Sequence, residues 1–184
     1  FPGSRNSEIK YLLPIMVNTI ALLQARFPEL NVAVALAPGW EKEHLAEHAP
    51  LPDRVRFLHG ESQELLAASS AVLAKSGTTT LEAALLGKPM AVCYAGHLAS
   101  YYIAKMFVKL PYVSLPNILA GKHLVKEYLQ HDATPENLAG ELGRIPSDQR
   151  HYRKMRPKLK GPRQTPGNEY ASAPSARGVP SFLR

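Results

Sequence analysis

The sequence predicts an α/β domain of the Rossmann-like, doubly wound class, in which a parallel sheet is covered by helices on both faces. Short apolar runs alternate along the chain with segments of helical periodicity, and this alternation is typical of a parallel sheet. Glycine and proline stand at many of the junctions between these segments, where they favour turns. A chain of 184 residues has room for one such domain with its own core.

The first part of the chain predicts the end of a strand, a tight turn and a long helix. Residues 1–5 contain a Pro-Gly turn and no initiator Met, so we expect a domain that is truncated at its start. Apolar residues recur with a helical period over residues 7–27, where Pro14 predicts a kink or marks the true helix start. Residues 31–37 form an unbroken apolar run that predicts a buried strand, and residues 41–48 predict a short charged helix.

The middle of the chain continues the alternation of strands and helices. A strand is predicted at residues 54–58 and a helix at residues 61–68. A βαβ unit follows, with a strand, a small-residue turn at Ser76-Gly77, a run of threonines, a helix and a second strand. Its regular elements are predicted at residues 71–74, 81–86 and 90–93.

The last folded part predicts a helix at residues 98–108 with an apolar, aromatic face. An extended segment with a Pro-Asn turn is predicted at residues 112–121, followed by helices at residues 123–129 and 135–142. The pattern thus predicts four strands, a fifth that is truncated at the start of the chain, and Val113 as a candidate for a sixth. We expect the domain to extend over residues 1–146.

Charge divides the chain into two unequal parts. The net charge is +7, and residues 147–184 supply all of it with 9 Lys/Arg against 2 Asp/Glu. Prolines interrupt this basic tail, which we expect to be a solvated segment or an arm that packs on another domain or subunit. A basic nucleic-acid-binding module and a contact with anionic lipid are the alternatives that its charge leaves open. The single Cys excludes an internal disulfide, and no apolar run is long enough to span a bilayer.

The Ser76-Gly77-Thr78-Thr79 turn is the first candidate binding site. It lies at the carboxyl end of a strand and opens a helix, where free N–H groups attract an anion, so we interpret it as a pyrophosphate site. Gly77 permits close approach of a phosphate, and a positive φ there would suit its lack of a side chain. The alternative is an ordinary capped turn, in which Thr79 and Glu82 form a capping box. As a ligand, Glu82 would accept hydrogen bonds from a ribose.

Two further segments could line the same edge of the sheet. The Gly3-Ser4-Arg5 turn also follows a strand, and its guanidinium could bind phosphate, or it could simply pair with Glu8. Asn117, in a Ser-Leu-Pro-Asn segment, offers both a donor and an acceptor to a ligand, or it caps the next element.

The other reactive side chains are weaker candidates. Lys75 precedes the glycine turn and could neutralise phosphate charge, whereas Cys93 lies in an apolar strand and is predicted to be an inert core residue. His44 and His48 are the only histidines with metal-ligand spacing, and no third ligand accompanies them, so no metal and no cofactor are predicted.

Together these motifs resemble the lipid-A-disaccharide synthase family of GT-B glycosyltransferases, family 19. The likeness extends over residues 1–145 and is carried by four blocks of sequence. These are Pro-Gly-Ser-Arg-Asn-Ser-Glu-Ile at residues 2–9, Ser-Gly-Thr-Thr-Thr-Leu-Glu at residues 76–82, Lys-Pro-Met at residues 88–90 and Tyr-Val-Ser-Leu-Pro-Asn-Ile-Leu-Ala-Gly at residues 112–121.

The resemblance implies the carboxy-terminal, UDP-binding half of a cytoplasmic enzyme of lipid A biosynthesis that is peripheral to the inner membrane. Such enzymes transfer 2,3-diacylglucosamine from UDP to 2,3-diacylglucosamine 1-phosphate (lipid X) with inversion, forming a β-1,6 linkage. The resemblance assigns the pyrophosphate to residues 76–79, the ribose to Glu82, and the phosphate or sugar end to Arg5 and Asn117. It places the catalytic base, an Asp, in an amino-terminal half that this chain lacks, so no catalytic residue is expected here.

The resemblance also implies partners and leaves rivals. We expect the missing amino-terminal domain, UDP-diacylglucosamine, lipid X and the membrane surface as partners, a homodimer as a further one, and no nucleic acid. The tail after Pro146 departs from the family's helical ending, so the resemblance does not extend to an oligomeric arrangement. The main alternative is another UDP-sugar GT-B enzyme, an N-acetylglucosaminyltransferase or a 2-epimerase. The Ser-Leu-Pro-Asn block favours the lipid-A-disaccharide synthase family over both.

Overall fold

The computed structural model describes residues 1–97 and 111–144, which form alternating strands and helices. In chain order these are α1 (Asn6–Arg26), β1 (Val32–Leu36), α2 (Lys42–Ala46), β2 (Val55–His59), α3 (Ser62–Ala68), β3 (Val72–Lys75), α4 (Thr78–Leu85), β4 (Met90–Tyr94), α5 (Leu115–Ala120), β5 (Lys126–Leu129), a 3-10 turn (Gln130–Asp132) and α6 (Pro135–Leu142).

Every strand pair within the described residues is parallel, as the alternation of elements predicts. β1 pairs with β2, and β4 lies between β3 and β5. Phe1 runs beside β3, because its N–H groups donate to Leu73 O at 2.9 Å and its carbonyl accepts from Lys75 N at 2.9 Å. The turn after Phe1 therefore lies at the same edge of the sheet as the turn after β3.

α1 connects two hydrophobic clusters. Leu12 and Met16 pack into the cluster around β3 and β4, whereas Ile9 and Leu13 pack into the cluster around β1 and α2. Two adjacent stripes on one face of the helix are thus buried, whereas Lys10, Tyr11 and Asn18 on the other side are exposed, as the apolar period predicts. The helix runs through Pro14 without a break and begins at Asn6.

The Rossmann-like α/β class predicted from the sequence is confirmed. The four predicted strands are present as β1 to β4, and the predicted helix at residues 135–142 is present as α6. Thr134 caps α6 by accepting a hydrogen bond from Asn137 N, and proline occupies the first helical position, where its missing N–H costs nothing. This is the arrangement that the sequence around Pro135 favours.

Two predictions about the last part of the domain are wrong. Residues 112–121 are not extended, since they contain α5, which starts after Ser114 and ends at Gly121 with a left-handed φ of 63°. Val113 is accordingly not in a strand. Residues 123–129 contain no helix, because Lys126–Leu129 is instead the strand β5, paired along β4 from Ala91 to Tyr94. Pairing with β4 outweighs the local helical period there.

The predicted helix at residues 98–108 and the basic tail at residues 147–184 lie outside the described residues. The division into a domain of residues 1–146 and a tail therefore stays a prediction. Within residues 1–97 and 111–144, no helix combines the length and apolar character that a bilayer-spanning segment requires.

Candidate functional site

The turn between β3 and α4 presents open backbone donors. α4 starts at Thr78, and in the described part of the chain the backbone N–H groups of Gly77, Thr78 and Thr79 donate to no protein acceptor. Thr80 N is already used, since it donates to Gly77 O at 3.1 Å. Three consecutive N–H groups at the positive end of a helix form an anion-binding arrangement.

The structure tests the capping-box interpretation of the threonines. A capping box of Thr79 and Glu82 is wrong, because both residues lie inside α4 and no side chain caps its first turn. Thr80 closes the turn instead by donating from Oγ1 to Gly77 O at 2.6 Å. Gly77 does not use its freedom to adopt a left-handed φ, since its φ of 164° and ψ of −165° are extended backbone that any residue adopts. Gly77 therefore matters for the space it leaves open.

The predicted side chains in this turn have different roles. The hydroxyl of Ser76 is not free, because Oγ donates to Val113 O at 2.6 Å and ties the turn to the segment before α5. Thr78 is exposed and Thr79 is half-buried. Glu82 lies one turn further along α4 and is also half-buried.

The Gly3-Ser4-Arg5 turn is built around the carboxylate of Glu8. Gly3 has a φ of 114°, and a Cβ at this position would lie only 2.6 Å from Glu8 Oε2. Glycine is therefore required both by the backbone conformation and by the close approach of the carboxylate. Trp40 supports the turn from the other side by donating from Nε1 to Ser4 O at 3.0 Å.

Glu8 binds backbone and side-chain donors with separate oxygens. Its Oε2 accepts from Ser4 N at 3.2 Å and Arg5 N at 3.4 Å, whereas its Oε1 contacts Arg5 Nη1 at 3.2 Å and Lys75 Nζ at 2.8 Å. Burial works to raise the pKa of the Glu8 carboxyl, but the Lys75 and backbone hydrogen bonds outweigh it and the pKa lies below its usual value. Glu8 is therefore an anion at neutral pH.

Lys75 and Glu8 bring the two predicted turns together. Lys75 is the last residue of β3, and its Nζ lies 3.6 Å from the position that a Cβ on Gly77 would occupy. Contacts thus run from Arg5 through Glu8 to Lys75, whose ammonium lies beside Gly77. The pairing of Arg5 with Glu8 is present, yet the Arg5 side chain is 78% exposed and can still reach a ligand.

Asn117 does not face this edge of the sheet as a free side chain. It is completely buried, its Oδ1 accepts from Leu124 N and Val125 N, and its Nδ2 donates to Val125 O and Glu127 Oε1. Every hydrogen-bonding group of the amide is therefore used within the protein. The prediction that Asn117 contacts phosphate or sugar is not supported by this geometry, and the alternative of a structural role is.

Sequence reasoning missed Glu127, which completes that buried network. Its carboxylate accepts from Val113 N at 3.0 Å, Ser114 N at 2.9 Å, Ser114 Oγ at 2.5 Å and Asn117 Nδ2 at 2.8 Å. For Glu8 the sequence suggested only a pairing with Arg5, so its contacts with Lys75 and with the backbone N–H groups of the turn were missed. The signal for the backbone contacts was a glutamate at the third helical position, where it can accept from the cap N–H. Neither long-range partner could be read from spacing.

The remaining candidates behave as core or surface residues. Cys93 is buried in β4, where desolvation raises the pKa of its thiol to about 12, as expected of an inert core residue. His44 accepts a hydrogen bond from Glu41 N through Nδ1. Among residues 1–97 and 111–144, no group of three or more His, Cys, Asp or Glu side chains could hold a metal ion.

Comparison with known proteins gives a consistent result. The family model described as Lipid-A-disaccharide synthetase matches residues 1–169. The chain is similar to the lipid-A-disaccharide synthase of Anaeromyxobacter dehalogenans (strain 2CP-C), with 44% identity over 151 residues, covering 80% of this chain and 39% of that relative. It is also similar to the enzyme of the same name from Vibrio vulnificus (strain YJ016), with 43% identity over 154 residues, 82% of this chain and 40% of the relative.

A third relative, lipid-A-disaccharide synthase from Chromobacterium violaceum, is 41% identical over 153 residues, which cover 80% of this chain and 39% of the relative. The chain therefore spans about two fifths of the length of the curated relatives that it matches. Both turns and the α5 segment lie within the matched residues of the family model.

Proposed function

The chain belongs to the lipid-A-disaccharide synthase family, and from this we propose that it forms the UDP-binding half of a glycosyltransferase of lipid A biosynthesis. The complete protein transfers 2,3-diacylglucosamine from UDP-2,3-diacylglucosamine to 2,3-diacylglucosamine 1-phosphate. The products are the lipid A disaccharide 1-phosphate and UDP.

One observation carries the proposal for this chain. The open N–H groups of Gly77, Thr78 and Thr79 lie at the start of α4, and the exposed guanidinium of Arg5 reaches the same edge through its contact with Glu8. Backbone donors and a guanidinium are the groups that bind a diphosphate without a metal. We propose that Glu82, further along the same helix, accepts hydrogen bonds from the ribose.

The proposed site accounts for one half of the chemistry. A sugar transfer with inversion needs a base for the acceptor hydroxyl and stabilisation of the charge that develops on the departing diphosphate. Preorganised N–H groups and a guanidinium supply the second, since they need no rearrangement as the charge develops. We propose that the base is contributed by a region outside these residues, and that this chain holds the leaving group.

The proposed contacts differ from those expected from the sequence. We retain the Gly3-Ser4-Arg5 turn, the backbone of Ser76 to Thr79, and Glu82. We omit Asn117 as a direct contact, because its amide is buried and fully bonded. Ser76 contributes through the shape of the turn, since its hydroxyl is bonded to Val113 O.

Calorimetric titration of UDP into the complete protein in which this chain occurs tests the proposal. Arg5→Ala should weaken UDP binding about tenfold, because it removes one charge-assisted contact. Gly77→Val should weaken it by about the same factor, because the added side chain fills space beside the open N–H groups. Neither should unfold the protein, because Arg5 is exposed and, among the described residues, the atom nearest to a Cβ on Gly77 is Lys75 Nζ, at an ordinary 3.6 Å. Arg54→Ala is the matched control, since this exposed arginine donates to Pro28 O, at the other end of α1 from the Arg5 turn.

Unchanged UDP affinity in both Arg5→Ala and Gly77→Val would remove the diphosphate assignment. The sugar and acceptor are tested separately, by following transfer from UDP-2,3-diacylglucosamine to 2,3-diacylglucosamine 1-phosphate. UDP binding without any such transfer would leave a UDP-sugar enzyme of another specificity as the better proposal.

A further inference from the structure

Glu8 is shared by two cations, and this leaves a positive charge at the turn. Lys75 Nζ lies 2.8 Å and Arg5 Nη1 3.2 Å from the same oxygen, Oε1. No other carboxylate within the described residues forms an ion pair with either cation. One carboxylate therefore faces two permanent or nearly permanent positive charges.

Lys75 is the better held of the two cations. Its side chain is only 19% exposed, whereas that of Arg5 is 78% exposed. A buried carboxylate, itself fixed by Ser4 N and Arg5 N, orients the ammonium so that it remains beside Gly77. Such preorganisation reduces the entropy that a lysine side chain loses when it binds a ligand.

The surplus charge and the open donors lie at the same place. Lys75 Nζ is 3.6 Å from the Cβ position of Gly77, the first of the three residues whose N–H groups are unused. An ammonium has three donors, and Glu8 Oε1 takes one of them. An anion bound at the N–H groups would lie within reach of the others.

We propose that Lys75 is a direct ligand of the diphosphate and that Glu8 is the positioning residue that holds its ammonium there. This inference rests on the proposed function, since it assigns a further contact within the same site. Because the Glu8 carboxylate is shared between Lys75 and Arg5, it does not neutralise both cations. Lys75 therefore keeps its affinity for an anion although it is paired with a carboxylate.

Binding of UDP and of uridine to the complete protein separates this role from a structural one. Lys75→Gln should weaken UDP binding about tenfold and leave uridine binding unchanged, because uridine lacks the phosphates. Lys75→Arg should restore most of the affinity by returning the charge. The matched control is Lys126→Gln, which breaks another lysine–glutamate ion pair, with Glu141 at 3.2 Å, at the start of β5.

A second measurement uses the unaltered protein, so that it holds even if Lys75→Gln fails to fold. Lysine methylation followed by mass spectrometry should show that UDP protects Lys75 and that uridine does not. Lys126 should be labelled equally in both cases.

The outcomes distinguish the two proposals. If the unaltered protein does not bind UDP, the proposed function fails and this inference fails with it. If UDP binds and Arg5→Ala weakens it, but Lys75→Gln leaves affinity unchanged or UDP leaves the labelling of Lys75 unchanged, only the inference about Lys75 is overturned. An equal loss of UDP and uridine binding in Lys75→Gln would also overturn it, since that result assigns Lys75 a structural role.

Discussion

Glu8 and Glu127 both receive backbone N–H groups from a neighbouring turn, yet their surroundings differ. The carboxylate of Glu127 accepts hydrogen bonds from neutral donors of Val113, Ser114 and Asn117, and we call this set of bonds the closed network. The carboxylate of Glu8 accepts from two backbone N–H groups and contacts two cations, Arg5 and Lys75, beside a turn with unused donors. We call this set of contacts the open network. The closed network can hold the fold together without binding anything, whereas the open one has donors and charge to spare for an anion.

The closed network also supports the open one. Ser76 Oγ donates to Val113 O, so the segment fixed by Glu127 holds the start of the Gly77 turn. We therefore expect stability to depend mainly on the closed network and anion binding on the open one. Substitutions that alter one network and leave the other intact test this expectation.

The largest effect is expected from Asn117→Ala. It removes a buried amide and strands the N–H groups of Leu124 and Val125, so the free energy of unfolding should fall by about 3 kcal/mol. Urea denaturation measures this loss. Asn137→Ala is the control, because its Nδ2 donates to Asp132 O at the surface, and we expect a loss below about 1 kcal/mol.

The same substitution could break the comparison. If Asn117 contacts the ligand directly, UDP affinity will fall sharply while the free energy of unfolding stays close to that of the unaltered protein. That pattern would show that Asn117 belongs to the binding site and not to the closed network around Glu127.

A smaller effect is expected from Gly3→Ala, which acts on the open network around Glu8. Alanine at this position would have to keep the strained φ of 114°, and its Cβ would displace Glu8 Oε2. We therefore expect the free energy of unfolding to fall by about 2 kcal/mol and UDP binding to weaken. Gly39→Ala is the control, since its φ of 82° imposes strain but nothing lies within 4 Å of the new Cβ. Equal losses in the two variants would mean that the carboxylate of Glu8 moves away without cost.

The smallest effect is the pH dependence that Glu8 contributes. The folded-state pKa of Glu8 lies below its usual value of 4.5, so the unfolded chain takes up a proton first as the pH falls. The stabilisation is therefore complete above pH 4.5 and is lost as the pH falls from there through the folded-state pKa. Because burial of the carboxyl opposes the lowering by the Lys75 and backbone hydrogen bonds, we expect a net contribution of less than about 1 kcal/mol.

Glu8→Gln measures this contribution, since Gln can still accept the backbone N–H groups but carries no charge. Urea denaturation from neutral to acid pH should show a shallower decline in stability for the variant than for the unaltered protein. Identical declines would show that the ion pairs of Glu8 contribute nothing to stability, and that its value lies only in the shape of the turn.

The sequence was sufficient for the features that depend on local pattern. The β1 and β4 strands are unbroken apolar runs of the kind that a sheet covered on both faces buries, and Pro135 with the Thr134 cap marks the start of α6. The two turns at the carboxyl edge were also predicted, because parallel strands place their ends together. The signals for α5, a proline near its start and Gly121 at its end, were present but were interpreted as a Pro-Asn turn.

Tertiary contacts decided the features that local pattern does not specify. Residues 126–129 have a helical period but form β5, because the edge of β4 offers unpaired backbone groups along its whole length. Asn117 has the chemistry of a ligand but is enclosed by Val125 and Glu127, which follow it in the chain on another element. The contact between Glu8 and Lys75 joins residues far apart in the chain, and no spacing rule reaches that far. The sequence thus determined where an anion could bind, and the packing of α1 against β3 decided which charges stand beside it.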